Sequence, residues 1–88
     1  MTKLKRGVVL TRTGDQSVLT GTGRNAAYYR LNHIGTRMLD LMLEGVEDDA
    51  IAQRLATEFE VSPSKVRSDL DQIVDSLVAE KLIQRKLS

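Results

Sequence analysis

The chain contains no cysteine and no tryptophan, and only one proline, one phenylalanine and one histidine. With no thiol there is no disulfide, no thiolate nucleophile and no cysteine metal site. The single histidine, His33, has neither a nucleophile nor an acid at a useful spacing, so it reads as a surface residue in the first turn of a helix. No apolar run approaches the roughly 20 residues of a membrane helix. Met1-Thr2-Lys3-Leu4-Lys5-Arg6 lacks the apolar stretch of a secretory signal. Eighty-eight residues suit one domain, residues 1–88, that buries roughly 60–65% of its unfolded surface. That allows one modest core and little room for an enclosed active site. The expectation is a cytoplasmic protein with no membrane partner.

Acids are scarce in the first part of the chain. Residues 1–37 hold seven Lys/Arg against Asp15 alone, whereas residues 38–88 hold six Lys/Arg against eleven acids. The net charge of +1 hides this division. A basic N-terminal half steers an acidic partner, nucleic acid or peptide, toward whatever that half forms.

What it forms reads as strand. Gly7-Val8-Val9-Leu10-Thr11-Arg12 is β-branched and apolar and ends at the turn signal Thr13-Gly14-Asp15. Gln16-Ser17-Val18-Leu19-Thr20 follows, closed by Gly21-Thr22-Gly23-Arg24-Asn25, and Ala26-Ala27-Tyr28-Tyr29-Arg30-Leu31 completes the set. Short connections favour an antiparallel meander. In the third run Ala27, Tyr29 and Leu31 share one face, expected to pack on helices, and Ala26, Tyr28 and Arg30 share the other.

From Asn32, a good N-cap, the period changes. Ile34, Met38, Leu41 and Met42 recur at three and four residues, and Gly45 is placed to end the helix. A second helix is expected from Glu47-Asp48-Asp49, acids that suit a helix N-terminus, with Ile51, Leu55 and Phe59 buried. The third has Ser62 as N-cap and Pro63 at its first position. It presents Val66, Leu70, Ile73 and Leu77 as one stripe and ends near Lys81-Leu82-Ile83, leaving a short polar tail. The fold class is α+β: a three-stranded antiparallel sheet followed by a three-helix bundle, similar to a winged helix-turn-helix.

Chemistry-bearing motifs are missing. Asp48 and Asp49 are adjacent on a helix and point about 100° apart, which suits a dipole-stabilising first turn better than a metal pair. Gly21-Thr22-Gly23 precedes a strand rather than a helix N-terminus, so it lacks the donors of a phosphate loop and reads as a hairpin turn. The sequence therefore indicates no enzyme, no catalytic residue, no cofactor and no metal. Three binding readings remain. A winged helix-turn-helix would insert the third helix into DNA, but its outer face carries Asp69, Asp71, Asp75 and Glu80 against Lys65, Arg67 and Lys81, and carboxylates near phosphates are repulsive. Nucleic acid is disfavoured. The last strand is an edge without charge or proline over Ala26-Ala27-Tyr28-Tyr29, so it can capture an extended peptide by strand addition. The same edge can serve a plain oligomerisation domain.

Tyr29-Arg30-Leu31-Asn32-x-x-Gly35, Leu39-x-x-Met42-x-x-Gly45, Val66-x-x-Asp69-Leu70-x-x-Ile73-Val74-x-x-Leu77 and Leu82-Ile83 together resemble the PqqD-like family, the RiPP recognition elements of peptide natural-product biosynthesis. Gly23-Arg24 shortly before Tyr29-x-Leu31-Asn32 is more similar to the stand-alone lasso-peptide version than to the quinone-cofactor one. Lys81 stands where a glycine is common in the family, and Leu39-Asp40 replaces a bulkier, often aromatic, position. The resemblance implies non-catalytic binding of a precursor's leader peptide as an added strand, in a groove closed by the third helix, and delivery to a separate leader peptidase followed by a cyclase. By position the strand side would be Ala26, Ala27, Tyr28, Tyr29, Arg30 and Leu31. The helix side would be Val66, Arg67, Asp69, Leu70, Ile73 and Val74, with Arg67 the exposed polar member.

Overall fold

The structure, a computed structural model, describes residues 1–22 and 27–85. The elements run β1 (Thr2–Leu4), β2 (Val9–Thr13), β3 (Gln16–Thr20), β4 (Tyr28–Leu31), α1 (His33–Leu43), α2 (Asp48–Phe59), α3 (Pro63–Ala79) and β5 (Ile83–Arg85). The antiparallel meander is present in the order β2-β3-β4. Its first hairpin closes at Thr13↔Gln16 around Gly14-Asp15. Gly14 has φ +63° and Asp15 does not cross into positive φ, the pattern of a II′ turn with glycine first. The first strand starts at Val9 rather than Gly7 because Lys5–Val8 forms a turn: Val8 N–H donates to the Lys5 carbonyl at 3.1 Å, and Gly7 sits at φ +83°.

Two short strands were not expected. β1 and β5 pair antiparallel with Thr2↔Arg85, Lys3↔Gln84 and Leu4↔Ile83. The segment read as a polar tail thus returns to the N-terminus, and Leu82 and Ile83 are fully buried. Lys86 to Ser88 lie outside the described residues.

The helix boundaries follow from their caps. Asn32 accepts from Gly35 N–H at 2.9 Å, and Ser62 accepts from Lys65 N–H at 3.1 Å with Pro63 in the first turn. At the end of α1 Gly45 N–H donates to Met42 O and Val46 N–H to Leu41 O, a Schellman closure with Gly45 at φ +90°. α3 closes identically, Lys81 N–H to Val78 O and Leu82 N–H to Leu77 O, with Lys81 forced to φ +58°. The position where a glycine is common is therefore left-handed in this chain as well.

The core lies between the sheet and the helices. Leu19 and Leu31 project into it from the sheet, Met38, Leu39 and Met42 from α1, Ile51 and Leu55 from α2, and Val66, Leu70 and Leu77 from α3. Each such side chain contributes about 1.5–3 kcal/mol by leaving water. Two polar groups join it: the hydroxyls of Ser17 and Thr36, both buried, share a hydrogen bond of 2.8 Å that ties β3 to α1. Among the described residues no helix is long and apolar enough to cross a membrane.

Candidate peptide-binding site

Among the described residues β4 has one partner strand, β3, so its far side is an open edge. The hydrogen-bond parity of that edge can be worked out. Gly21 N–H donates to the Ala27 carbonyl at 2.8 Å, which makes 21/27 a hydrogen-bonded pair. Antiparallel pairs alternate, so Leu19↔Tyr29 and Ser17↔Leu31 are also hydrogen-bonded pairs. The N–H and C=O groups of Tyr28 and Arg30 consequently point outward. They are the free backbone groups of this edge.

The side chains divide by the same parity. Leu31 is buried, and Ala27 and Tyr29 are half-buried against the core. Tyr28 is 61% exposed and Arg30 is exposed with no ion-pair partner among the described residues. Ala26 lies outside the described residues.

The sheet has a second free edge at β2, and it is treated differently. By the same alternation Leu10 and Arg12 carry its outward backbone groups. Arg12 bends over the helix side to Asp40 of α1, and a charge placed this way blunts an edge. Asp40, one of the departures from the resemblance, thus has a local role. Among the described residues the β4 edge has no such block.

α3 supplies the other set of expected residues, and it packs on α2, β5 and α1, whereas β4 packs on β3 and α1. The two sets share α1 as a neighbour, and Leu31, Val66, Leu70 and Val74 belong to one core. Val66, Leu70 and Val74 are buried core residues, and Ile73 is half-buried. Arg67 is not a free surface residue. Its guanidinium meets Asp49 and Asp71, and it lies 3.8 Å from Asp48. Asp69 is held by Lys65 at 3.0 Å. Residues two apart on a helix point about 200° apart, so Arg67 and Asp69 occupy opposite flanks, with Ile73 on the Asp69 side. These pairs also remove the cations of α3 that a DNA backbone would need.

Two features escaped sequence reading. Arg85 grips Asp48 with both terminal nitrogens and donates to Thr2 Oγ1 at 3.1 Å. Hydrogen bonds from Arg85, then the charges of Arg85 and Arg67, hold the Asp48 carboxyl below the usual carboxylate range against its partial burial. The second is a depression of about 460 Å³ at the C-terminal end of β4, floored by Ile34, Phe59 and Val61. His33 on its rim is exposed as expected. It stands edge-on to Phe59 at 4.9 Å, with Nδ1 3.5 Å from Asp15. No local periodicity signals a depression assembled from the β2–β3 hairpin, the start of α1, the end of α2 and the α2–α3 turn.

Comparison with known proteins follows the same lines. The family model described as Coenzyme PQQ synthesis protein D (PqqD) matches residues 16–83. TbiB1, solved in complex with the TbiA(β) leader peptide, superposes with a TM-score of 0.82 at 24% identity, covering 98% of this chain and 99% of that one. A lasso peptide synthetase B1, complexed with its leader peptide, gives a TM-score of 0.84 at 25% identity over 96% of this chain and 98% of that one. No curated protein is significantly similar in sequence.

Proposed function

The chain belongs to the PqqD family, and from that premise we propose that it is a non-catalytic recognition domain for the leader of a ribosomally made precursor peptide of the lasso type. The observation that carries this reading is the open edge of β4, with the backbone groups of Tyr28 and Arg30 turned outward and no blocking charge. The two structural neighbours solved with leader peptides support it.

The leader would pair antiparallel with Tyr28 and Arg30 and extend the sheet by a strand. Its alternate side chains would face the helix layer beside Ala27, Tyr29 and Leu31, toward the flank of α3 that carries Asp69 and Ile73. Val66, Leu70 and Val74 shape that flank from within the core, and Arg67 holds α3 against the start of α2. Arg30 favours an acidic leader. A peptide disordered when free gives up part of its interaction energy to ordering, so moderate affinity resting on a few apolar anchors is the physical expectation. Acting in the cytoplasm, the domain would pass the precursor to a separate leader peptidase and then a cyclase.

The test is fluorescence anisotropy of a labelled acidic leader-like peptide carrying spaced Tyr, Pro and Leu anchors, with labelled duplex DNA in parallel at two salt concentrations. Saturable binding that disappears when the anchors become alanine is expected. Salt-sensitive DNA binding with no peptide signal would overturn the reading.

A further inference from the structure

Arg30 is the uncommitted charge of the β4 edge. Arg12, Arg37, Arg67 and Arg85 each meet a carboxylate, whereas Arg30 is exposed and has no partner among the described residues. Its own cross-strand row, Thr11-Val18-Arg30, holds no acid, and neither does the next, Val9-Thr20-Tyr28. Val18 occupies one lateral side of Arg30. The other side is filled only when a strand is added. The helix side of the same edge is a different environment. Leu31 is buried there, Tyr29 and Ile73 are half-buried, and the flank of α3 carries the Asp69 carboxylate, with Lys65 already committed to it.

We infer that Arg30 sets the register of the bound leader by pairing with one carboxylate, carried by the leader residue directly opposite it. The inference rests on leader capture at β4 and states what that capture selects. Because Tyr28 and Arg30 own the outward backbone groups, the leader residue opposite Arg30 exchanges both backbone hydrogen bonds with it. The two Cα atoms then stand about 5.5 Å apart with their side chains on one face. An aspartate or glutamate at that position meets the guanidinium as a cross-strand pair, and the planar fork can take both of its oxygens. One step along the leader in either direction, the side chain turns into the helix layer. A carboxylate there loses water against Tyr29, Leu31 and Ile73 and approaches the like charge of Asp69. A slip of one residue therefore exchanges a favourable contact for an unfavourable one, which is how a strand's register is held. Proline obeys the same parity. Its missing N–H is tolerated at the helix-facing positions, where that group would point to the new outer edge, and not opposite Arg30 or Tyr28. The ligand is thus a segment in which an acid on one phase alternates with apolar residues or proline on the other.

The experiment uses the full chain and the labelled leader-like peptide of the binding test, made uncharged apart from one glutamate that is moved a single position at a time. Each peptide is compared by anisotropy, at low salt, with its counterpart carrying glutamine at the same position. One position should bind about 2–5-fold tighter than its glutamine control, an advantage that shrinks as salt is added. The positions on either side of it should bind more weakly than theirs. Lysine at the best position should weaken binding by a similar factor, and Arg30→Glu should reverse the order there, with lysine tighter than glutamate. Arg30→Gln should erase the preference without reversing it. Arg6→Glu, an exposed residue of the turn before β2, makes the same change in net charge and should leave the preference in place. Proline at the best position should weaken binding about 2–12-fold, the loss of one backbone hydrogen bond, and proline one step away should change it less than about twofold. Binding indifferent to where the glutamate sits overturns the inference alone, as does an equal response of Arg30→Glu and Arg6→Glu. If the wild-type protein binds no peptide of the series, leader capture itself fails and the inference falls with it.

Discussion

Arg30→Pro separates strand addition from every other way of using this surface. The Arg30 N–H points away from β3, by the alternation that starts at the Gly21–Ala27 hydrogen bond. Proline there removes a donor that the folded domain does not use, and an edge strand tolerates proline where its N–H faces outward. Thermal unfolding followed by circular dichroism should move by no more than about 8 °C, since under about 1 kcal/mol is at stake. The bound leader loses one backbone hydrogen bond, worth about 0.5–1.5 kcal/mol net, so Kd should rise roughly 2–12-fold by anisotropy. The ring crowding the incoming strand adds to that. Arg30→Ala supplies the control, because it removes the same side chain and keeps the N–H. Tyr29→Pro is the converse: its N–H faces Leu19, and breaking the ladder should cost about 3 kcal/mol or more. If Arg30→Pro binds leader no more weakly than Arg30→Ala does, the peptide is not paired to this edge and the argument from parity fails.

Three further predictions concern the scaffold. Asp48→Asn leaves Arg85 and Arg67 without their shared carboxylate; with side chains 19% and 23% exposed the Asp48–Arg85 pair lies between surface and buried cases, so about 2 kcal/mol and roughly 8–16 °C in Tm are expected at neutral pH. Because the folded-state value of Asp48 is depressed, that stabilisation is present above the unfolded carboxylate range and is lost as pH falls through the folded value. Wild type and Asp48→Asn should therefore converge in acid and diverge at neutrality, and an equal gap at both pH values would contradict the assignment. Lys81→Gly relieves a left-handed residue at φ +58° and should stabilise by about 0.5–1 kcal/mol, read as a rise in denaturation midpoint at constant m. Thr36→Val leaves the buried Ser17 hydroxyl without its partner and should cost about 1–3 kcal/mol, part of which Ser17→Ala in the same chain should restore.

The helices and the meander were legible because their signals are local. Asn32, Ser62-Pro63 and Gly45 each act on hydrogen bonds within a few residues, and the caps stand where the sequence placed them. The β1–β5 ladder was not legible. Three residues are too few to show a period of two, and each strand's partner lies some eighty positions away. Sequence separation also hid the Arg85–Asp48 pair, 37 positions apart, and the anchoring of Arg67 on Asp49, 18 positions away, so that Arg67 in isolation looked like an exposed helix residue. Ser17 is a polar residue that faces the core, and only Thr36 on another element makes its burial tolerable. At the site, the residues of β4 could be assigned to faces by alternation. Which of them own the free backbone groups needed one hydrogen bond outside the strand, and which flank of α3 is open needed the carboxylates around Arg67.

The motif that carries the family resemblance is mostly scaffold, and this bears on where specificity resides. In Leu31-Asn32-x-x-Gly35 the asparagine caps α1 and the glycine keeps a tight space clear: a Cβ there would stand 3.2 Å from both Asn32 Oδ1 and Leu31 Cδ2. Gly45 and position 81 close two helices in the same left-handed geometry. Val66, Leu70 and Leu77 are core. Leu31, Gly35, Val66, Leu70 and Leu77 are sealed from solvent, and Asn32, Gly45 and Lys81, although exposed, are committed to helix ends, so none of them is placed to distinguish one peptide from another. Strand addition itself uses backbone groups, which any sequence supplies. On the proposed strand addition, discrimination would fall to the side chains of the expected site that keep exposed surface: Tyr28, Tyr29, Arg30, Asp69 and Ile73. None of these five is a cap or a turn residue, although Tyr29 and Ile73 pack against the core with part of their surface. The family model matches residues 16–83, and on the proposed strand addition the choice of leader would fall to these five residues, of which Tyr29, Arg30, Asp69 and Ile73 also belong to the pattern that carries the resemblance. Grafting those five from a domain that reads a different leader should transfer preference in anisotropy with little change in Tm. Transfer of stability loss without transfer of preference would place recognition elsewhere.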